Sequence, residues 1–207
     1  MAKALVITSY AEHIDKLRTD FSSFDKVICA DGGYLIAGKL GLKPDFFIGD
    51  YDSSPVPDAS NAKVLPCEKD MTDTEAAIEA AVNSGADEVT ILGGLGGRFD
   101  HTMGNIGMLC RYTEKGLKIS MEDGQNYVFM LAPGSYEIPA NSFRYMGIIS
   151  YSPVTKGIRL GGTKYPLDGY DLTYDTSLGV SNEIISDKAS ISFDEGLLLM
   201  IFSDDVR

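Results

Sequence analysis

Up to about residue 125, short runs of β-branched and other apolar residues alternate with stretches of helical spacing; beyond that point the helical spacing stops. Such alternation calls for a mostly parallel sheet, because parallel neighbours are joined by crossovers long enough to hold a helix. Strands are expected at 4–8, 27–31, 44–50, 62–65, 88–92 and 118–122. Helices are expected at 34–40, 72–84 and 101–115, the first two stopped by Gly41 and Gly85. The remaining ~80 residues read as short strands punctuated by Gly, Pro and Asn, at 127–131, 135–138, 144–151, 157–160, 188–193 and 197–202. The fold class is therefore an α/β N-terminal domain with a mostly parallel sheet, residues 1–125. A C-terminal antiparallel β-sandwich domain, residues 126–207, follows it.

Charge and composition remove several function classes. Eighteen basic against 30 acidic residues give a net charge of −12, a surface that repels nucleic acid and anionic membranes. No apolar run approaches the roughly 18 residues of a membrane helix. Residues 1–7 meet Thr8, Ser9 and Tyr10 too early for a secretion signal and read as a buried strand. Cys29, Cys67 and Cys110 are odd in number and far apart, and the chain has only two histidines, His13 and His101. A zinc site or disulfide framework is not expected, and a cytoplasmic location fits. Any phosphorylated ligand must be neutralised locally, by a few placed cations or by a divalent metal.

Four segments carry chemistry. Asp31-Gly32-Gly33 follows a strand, where open α/β sheets bind ligands. The glycines there permit close approach and positive φ, and Asp31 either faces a ligand or caps the next helix. In Gly49-Asp50-Tyr51-Asp52-Ser53, acids two apart on an extended segment point to one side and suit magnesium, which takes one or two carboxylates plus phosphate oxygens. Lys69-Asp70-Met71-Thr72-Asp73-Thr74-Glu75 opens a helix. Thr72 and Glu75 form a capping box, leaving Lys69 and Asp73 for phosphate, metal or substrate. In Gly93-Gly94-Leu95-Gly96-Gly97-Arg98-Phe99-Asp100-His101, a flexible glycine loop brings amides near phosphates, and Arg98 adds a planar charged donor set. Asp100 is a helix cap or a member of the site, and His101 a phosphate contact or a surface residue. Gathering these acids without a cation is unfavourable, so their convergence implies a metal or a cationic ligand.

Together with Lys43-Pro44-Asp45, these segments resemble, in order and spacing, the thiamine pyrophosphokinase family. Residues 162–167 and 179–183 resemble its thiamine-binding half. The resemblance implies a homodimer that takes ATP and thiamine, with Mg²⁺, and binds thiamine near the subunit interface. It places Asp50, Asp52 and Asp73 around Mg²⁺ and the reacting groups, with Asp31 and Asp100 in the same acidic set. Asp31, Lys69, Arg98, Asp100 and His101 fall to ATP, Arg98 and Asp100 also to catalysis, and Ser181 and Asn182 to the thiamine pyrimidine. The chain has no Trp, so any aromatic contact to thiamine is Tyr or Phe; residues 8–13 show no phosphate-binding pattern. Other readings are a diphosphokinase for another heterocyclic alcohol, a non-enzymatic nucleotide or thiamine sensor, and a sugar-nucleotide transferase. The last leaves the Arg98–Asp100 loop and the β-sandwich unexplained.

Overall fold

Residues 1–52, 54–68 and 70–205 are described by the computed structural model. Two compact units divide the chain, residues 1–124 and 125–207.

The first unit holds β1 (Lys3–Ile7), β2 (Lys26–Ala30), α1 (Gly33–Lys39), β3 (Phe46–Gly49), β4 (Ala62–Val64), α2 (Asp73–Asn83), β5 (Glu88–Leu92), α3 (Phe99–Glu114) and β6 (Lys118–Glu122). Its strands run in the order β4-β3-β2-β1-β5-β6, each pair parallel. The central strands are covered on both faces, so Ala4 to Ile7 are wholly buried as a continuous apolar run. Between β1 and β2 no α-helix forms. Two 3₁₀ turns, Ile14–Lys16 and Phe21–Ser23, take its place. Ile14, Leu17, Phe21 and Phe24 pack there against Leu5, Ile7, Cys29 and Leu92. Arg18 N–H donates to buried Glu122 at 2.7 Å, and the Thr19 hydroxyl donates to the same carboxylate, which ties the connection to the end of β6.

The second unit contains only strands: β7 (Asn126–Leu131), β8 (Gly134–Pro139), β9 (Tyr145–Ser150), β10 (Val154–Gly161), β11 (Leu167–Thr173), β12 (Lys188–Phe193) and β13 (Leu198–Ser203). The strand β13 pairs antiparallel with both β7 and β9, and a second sheet runs β11-β10-β12-β8, also antiparallel. Met146, Ile148, Leu198, Met200 and Phe202 from the first set meet Ile158, Leu160, Leu172, Ile191 and Phe193 from the second in one core. This is the predicted sandwich, with alternate residues turned inward. The sequence reading did not include β11. It is a largely exposed edge strand in which only Leu172 is buried.

Candidate functional site

The ends of β1, β2, β3 and β5 and the starts of α2 and α3 enclose a cavity of about 640 Å³ in the first unit, a size suited to a small-molecule ligand. It lies beyond the carboxyl ends of parallel strands, where such sheets bind ligands. Two glycines let the strand ends converge. A Cβ at Gly33 would sit 2.1 Å from the Ile7 carbonyl oxygen, and one at Gly49 would sit 2.8 Å from the Asp31 Cα. Close approach, and not positive φ, is what this turn asks of Gly33. The left-handed residue is Asp31 itself, at φ 46°. Nor does Asp31 cap α1, whose cap position is Gly32 with no side-chain bond. Its N–H donates to the Ile48 carbonyl at 2.8 Å, and its carboxylate accepts the Ser54 hydroxyl at 2.7 Å.

Asp50 and Asp52 line the same cavity by a different route from the expected one. The backbone between them is not extended: Tyr51 is left-handed at φ 53° and buried. The Asp52 N–H turns back to the Asp50 carboxylate at 3.3 Å. Burial, with the charges of Asp31 and Asp73, pushes the Tyr51 phenol up to about 12. Asp73 enters the cavity from the first turn of α2. Thr72 caps that helix by accepting the Glu75 N–H at 3.2 Å. The expected reciprocal arm is replaced, since the Glu75 carboxylate pairs with Arg111 on α3. Lys69 and Ser53 lie outside the described residues.

The glycine loop is held, not flexible. Gly93, Gly94, Gly96 and Gly97 all have positive φ, between 60° and 86°, which other residues adopt only with strain. The Gly93 N–H donates to the Glu122 carbonyl at 2.7 Å and the Gly94 N–H to the Tyr10 carbonyl at 2.9 Å. Those two amides are therefore committed within the fold. From α3, buried Asn105 donates to the Gly94 carbonyl at 2.9 Å and Thr102 to the Gly96 carbonyl at 3.1 Å. Arg98 occupies the α3 cap position and lines the cavity with His101. Asp100 sits in the first turn, where it accepts the Arg98 guanidinium at 2.7 Å and the His101 N–H at 3.0 Å. The guanidinium holds the Asp100 carboxyl below its ordinary range. Asp100 does not line the larger cavity. It lines an adjoining one of about 560 Å³, with Asp70, Glu75 and also His101.

Thr8, Ser9, Tyr10, Met71 and Asn105 also line the main cavity, and the sequence reading assigned none of them to the site. Thr8 was legible as a hydroxyl closing an apolar strand, and Asn105 as an amide on the α3 face that also buries Thr102, Leu109 and Tyr112. Among the described residues no three His, Cys, Asp or Glu side chains converge as a closed metal centre. The carboxylates on the cavity are hard oxygen donors, and magnesium bound with a nucleotide needs only one or two of them. Asp50 and Asp52 therefore fit such an ion in kind.

In the second unit, Asn182 is buried beside an apolar pocket of about 280 Å³ that also includes Tyr165, Leu167, Leu178 and Val180. Its amide accepts the Tyr165 N–H at 3.0 Å and donates to the Tyr165 carbonyl at 2.8 Å. That makes it a clamp on the segment carrying Tyr165. Ser181 is exposed and left-handed, at φ 60°, and is not among the residues lining that pocket.

A family model described as the thiamin pyrophosphokinase catalytic domain matches residues 17–121. A second, described as the thiamin pyrophosphokinase vitamin B1 binding domain, matches residues 135–198. The thiamine pyrophosphokinase of Bacillus subtilis (strain 168) is 34% identical over 186 residues, which is 86% of this chain and 87% of that protein. Thiamin pyrophosphokinase 1 of Caenorhabditis elegans is 26% identical over 170 residues, or 76% of this chain and 70% of its own. Among solved structures, the thiamine pyrophosphokinase from Bacillus subtilis superposes with a TM-score of 0.88 at 29% identity, covering 99% of this chain and 100% of that one. The thiamin pyrophosphokinase from Candida albicans shares the fold at 18% identity, with a TM-score of 0.77 over 99% of this chain and 89% of its own.

Proposed function

The chain belongs to the thiamine pyrophosphokinase family, and on that premise we propose that the acid-lined cavity of its first unit is where ATP gives up its diphosphate to thiamine. The activity itself is the family's: diphosphate passes from ATP to the thiamine hydroxyl, yielding thiamine diphosphate and AMP. The observation that carries the placement is the convergence of Asp31, Asp50, Asp52 and Asp73 with Arg98 and His101 on one cavity.

The hydroxyl attacks the β-phosphorus in line with the departing AMP. Such transfers depend mainly on alignment and on neutralising phosphate charge. Asp50, Asp52 and Asp73 would hold Mg²⁺, which supplies charge neutralisation at the phosphates. Arg98 presents its donors to phosphate oxygens, and in the free protein Asp100 keeps that guanidinium oriented. Lys69 falls to the same task by resemblance. His101, between the two cavities, completes the ATP contacts. A carboxylate of the Asp50, Asp52 and Asp73 set accepts the hydroxyl proton as the bond forms.

In the second unit, the Asn182 pocket is our candidate for the thiamine pyrimidine, with Tyr165 as the aromatic contact; Ser181 falls to thiamine by resemblance alone. Tyr165, Leu178, Val180 and Ile185 are each about half exposed or more, an apolar surface that a second copy of the chain would cover. We therefore read the protein as a homodimer. Three free cysteines and an acidic surface support a cytoplasmic enzyme without nucleic-acid or membrane partners. No helix among the described residues is long and apolar enough to cross a membrane.

Phosphorus NMR of the purified protein with ATP, Mg²⁺ and thiamine tests the reaction. Equal amounts of AMP and thiamine diphosphate are expected. Release of ADP would mark a simple kinase and overturn diphosphate transfer.

A further inference from the structure

The strand order separates the two ends of the main cavity. Asp31 follows β2, and Asp50 and Asp52 follow β3, whereas Tyr10 follows β1 and Gly96 follows β5. Neighbouring strands lie about 4.8 Å apart, so the three steps from β3 to β5 span roughly 14 Å. That accommodates a nucleoside triphosphate laid across the strand ends. With its phosphates over the acids, where the long Arg98 side chain meets them from the start of α3, its base falls over β1 and β5.

A flat surface stands at that end. The Tyr10 carbonyl accepts the Gly94 N–H at 2.9 Å and the Thr8 hydroxyl at 3.0 Å, which fixes the backbone. The Tyr10 hydroxyl donates to the Glu12 carboxylate at 2.5 Å, which fixes the ring. A Cβ at Gly97 would meet the ring carbons at 3.1 Å, and one at Gly96 at 3.5 Å. The bare glycine backbone thus forms the seat on which the ring rests. Tyr10 nevertheless remains 39% exposed and lines the cavity.

We propose that Tyr10, seated on Gly96 and Gly97 and locked by Glu12, is the platform on which the purine base of ATP stacks. This rests on the reading of the cavity as the ATP site. A ring already fixed in place loses little freedom when a base settles on it, so the stacking contact is kept as affinity. It also explains the segment 8–13, which has no phosphate-binding pattern: its task is at the base.

The test is calorimetric titration of the full chain with Mg²⁺ and either ATP or inorganic tripolyphosphate, which has phosphates but no base. Tyr10→Ala is expected to weaken ATP binding roughly 5- to 150-fold, the range for loss of one base–aromatic stack. Tripolyphosphate binding and the KM for thiamine stay unchanged, and Tyr10→Phe, which keeps the ring but gives up the bond to Glu12, recovers most but not all of the ATP affinity. Equal weakening of both ligands would make Tyr10 a loop-packing residue and overturn the platform. So would no change in ATP affinity, or a shift confined to thiamine. A wild type that binds tripolyphosphate but not ATP removes the ATP site itself and the platform with it. ATP binding that is indifferent to Tyr10→Ala removes the platform alone.

Discussion

Asp31 and Tyr51 are non-glycine residues held in left-handed backbone, and each stands where a strand delivers an acid to the cavity. Such conformations persist only where surrounding contacts impose them, and they cluster at functional sites. The acids themselves are the first target for mutation. Asp52→Asn and Asp73→Asn should each lower kcat about 100-fold or more while the circular dichroism spectrum is retained, because they remove charge from the reacting centre without changing shape. Near-normal turnover in both would take the metal and the reacting groups away from these residues. Tyr51 gives a separate signature in alkali. Its hydroxyl is buried and has no hydrogen-bond partner among the described residues. Its folded pKa, about 12, exceeds its ordinary 10.0. The folded state therefore keeps a proton that the unfolded chain has lost in that window. Stability from this group is complete below pH 10 and drains away as pH rises toward 12. Urea melts across that range should show wild type losing stability more steeply than Tyr51→Phe; parallel curves would contradict the burial argument.

At the scale of elements, the loop from Gly93 to Gly97 draws its order from its neighbours. Buried Asn105 on α3 holds the Gly94 carbonyl, and the end of β1 holds the Gly94 amide. Asn105→Ala should cost about 1–3 kcal/mol of stability by urea melt, the usual penalty for breaking such a buried bond. It should also raise the KM for ATP, because the loop carries Arg98 at its exit. An unchanged melt would mean the amide is not what fixes the loop. Sequence alone exposed the parts of this arrangement that depend on local pattern. Strand runs such as Glu88–Leu92 and Lys118–Glu122 alternate polar with apolar residues and follow turns, so their limits were readable. Asp31, Asp50 and Asp52 were readable because residue type and strand-end position coincide, and Asp73, Arg98 and His101 because they open the helices that follow such ends. What could not be read depends on distant partners. The edge strand β11 has one buried residue and is held by main-chain pairing to β10 across register shifts. The flexible loop and the reciprocal capping box were local inferences, and Glu122, Asn105 and Arg111 overrule them from 29, 11 and 36 residues away. Tyr10 has no motif at all; only the seat formed by Gly96 and Gly97 gives it a place.

Over the whole molecule the balance of charge decides how ATP can enter. The chain carries a net −12, and four carboxylates line the cavity proposed for the polyphosphate. Coulomb repulsion between like charges a few ångströms apart is about 1 kcal/mol per pair even in water and several times that near a protein surface. Arg98 alone is too little to offset it, and it is already paired with Asp100. The same acids suit a cation such as the thiazolium ring of thiamine, so a cavity serving as proposed favours one substrate and opposes the other. A divalent ion reverses that opposition, because it turns the carboxylates from repelling groups into ligands shared with the phosphates. ATP binding should therefore be lost in excess EDTA and restored by Mg²⁺. Monovalent salt at the same ionic strength should restore only a small part, since it screens charge without bridging the oxygens. The measurement is ATP titration calorimetry under the three conditions. Equal affinity with and without EDTA would mean that the basic residues suffice, and would remove the metal from Asp50, Asp52 and Asp73. Loss in EDTA that salt fully repairs would reduce the metal to a screening ion. Recovery confined to the divalent ion leaves bridging as the only role that fits both the charge of the chain and the position of its acids.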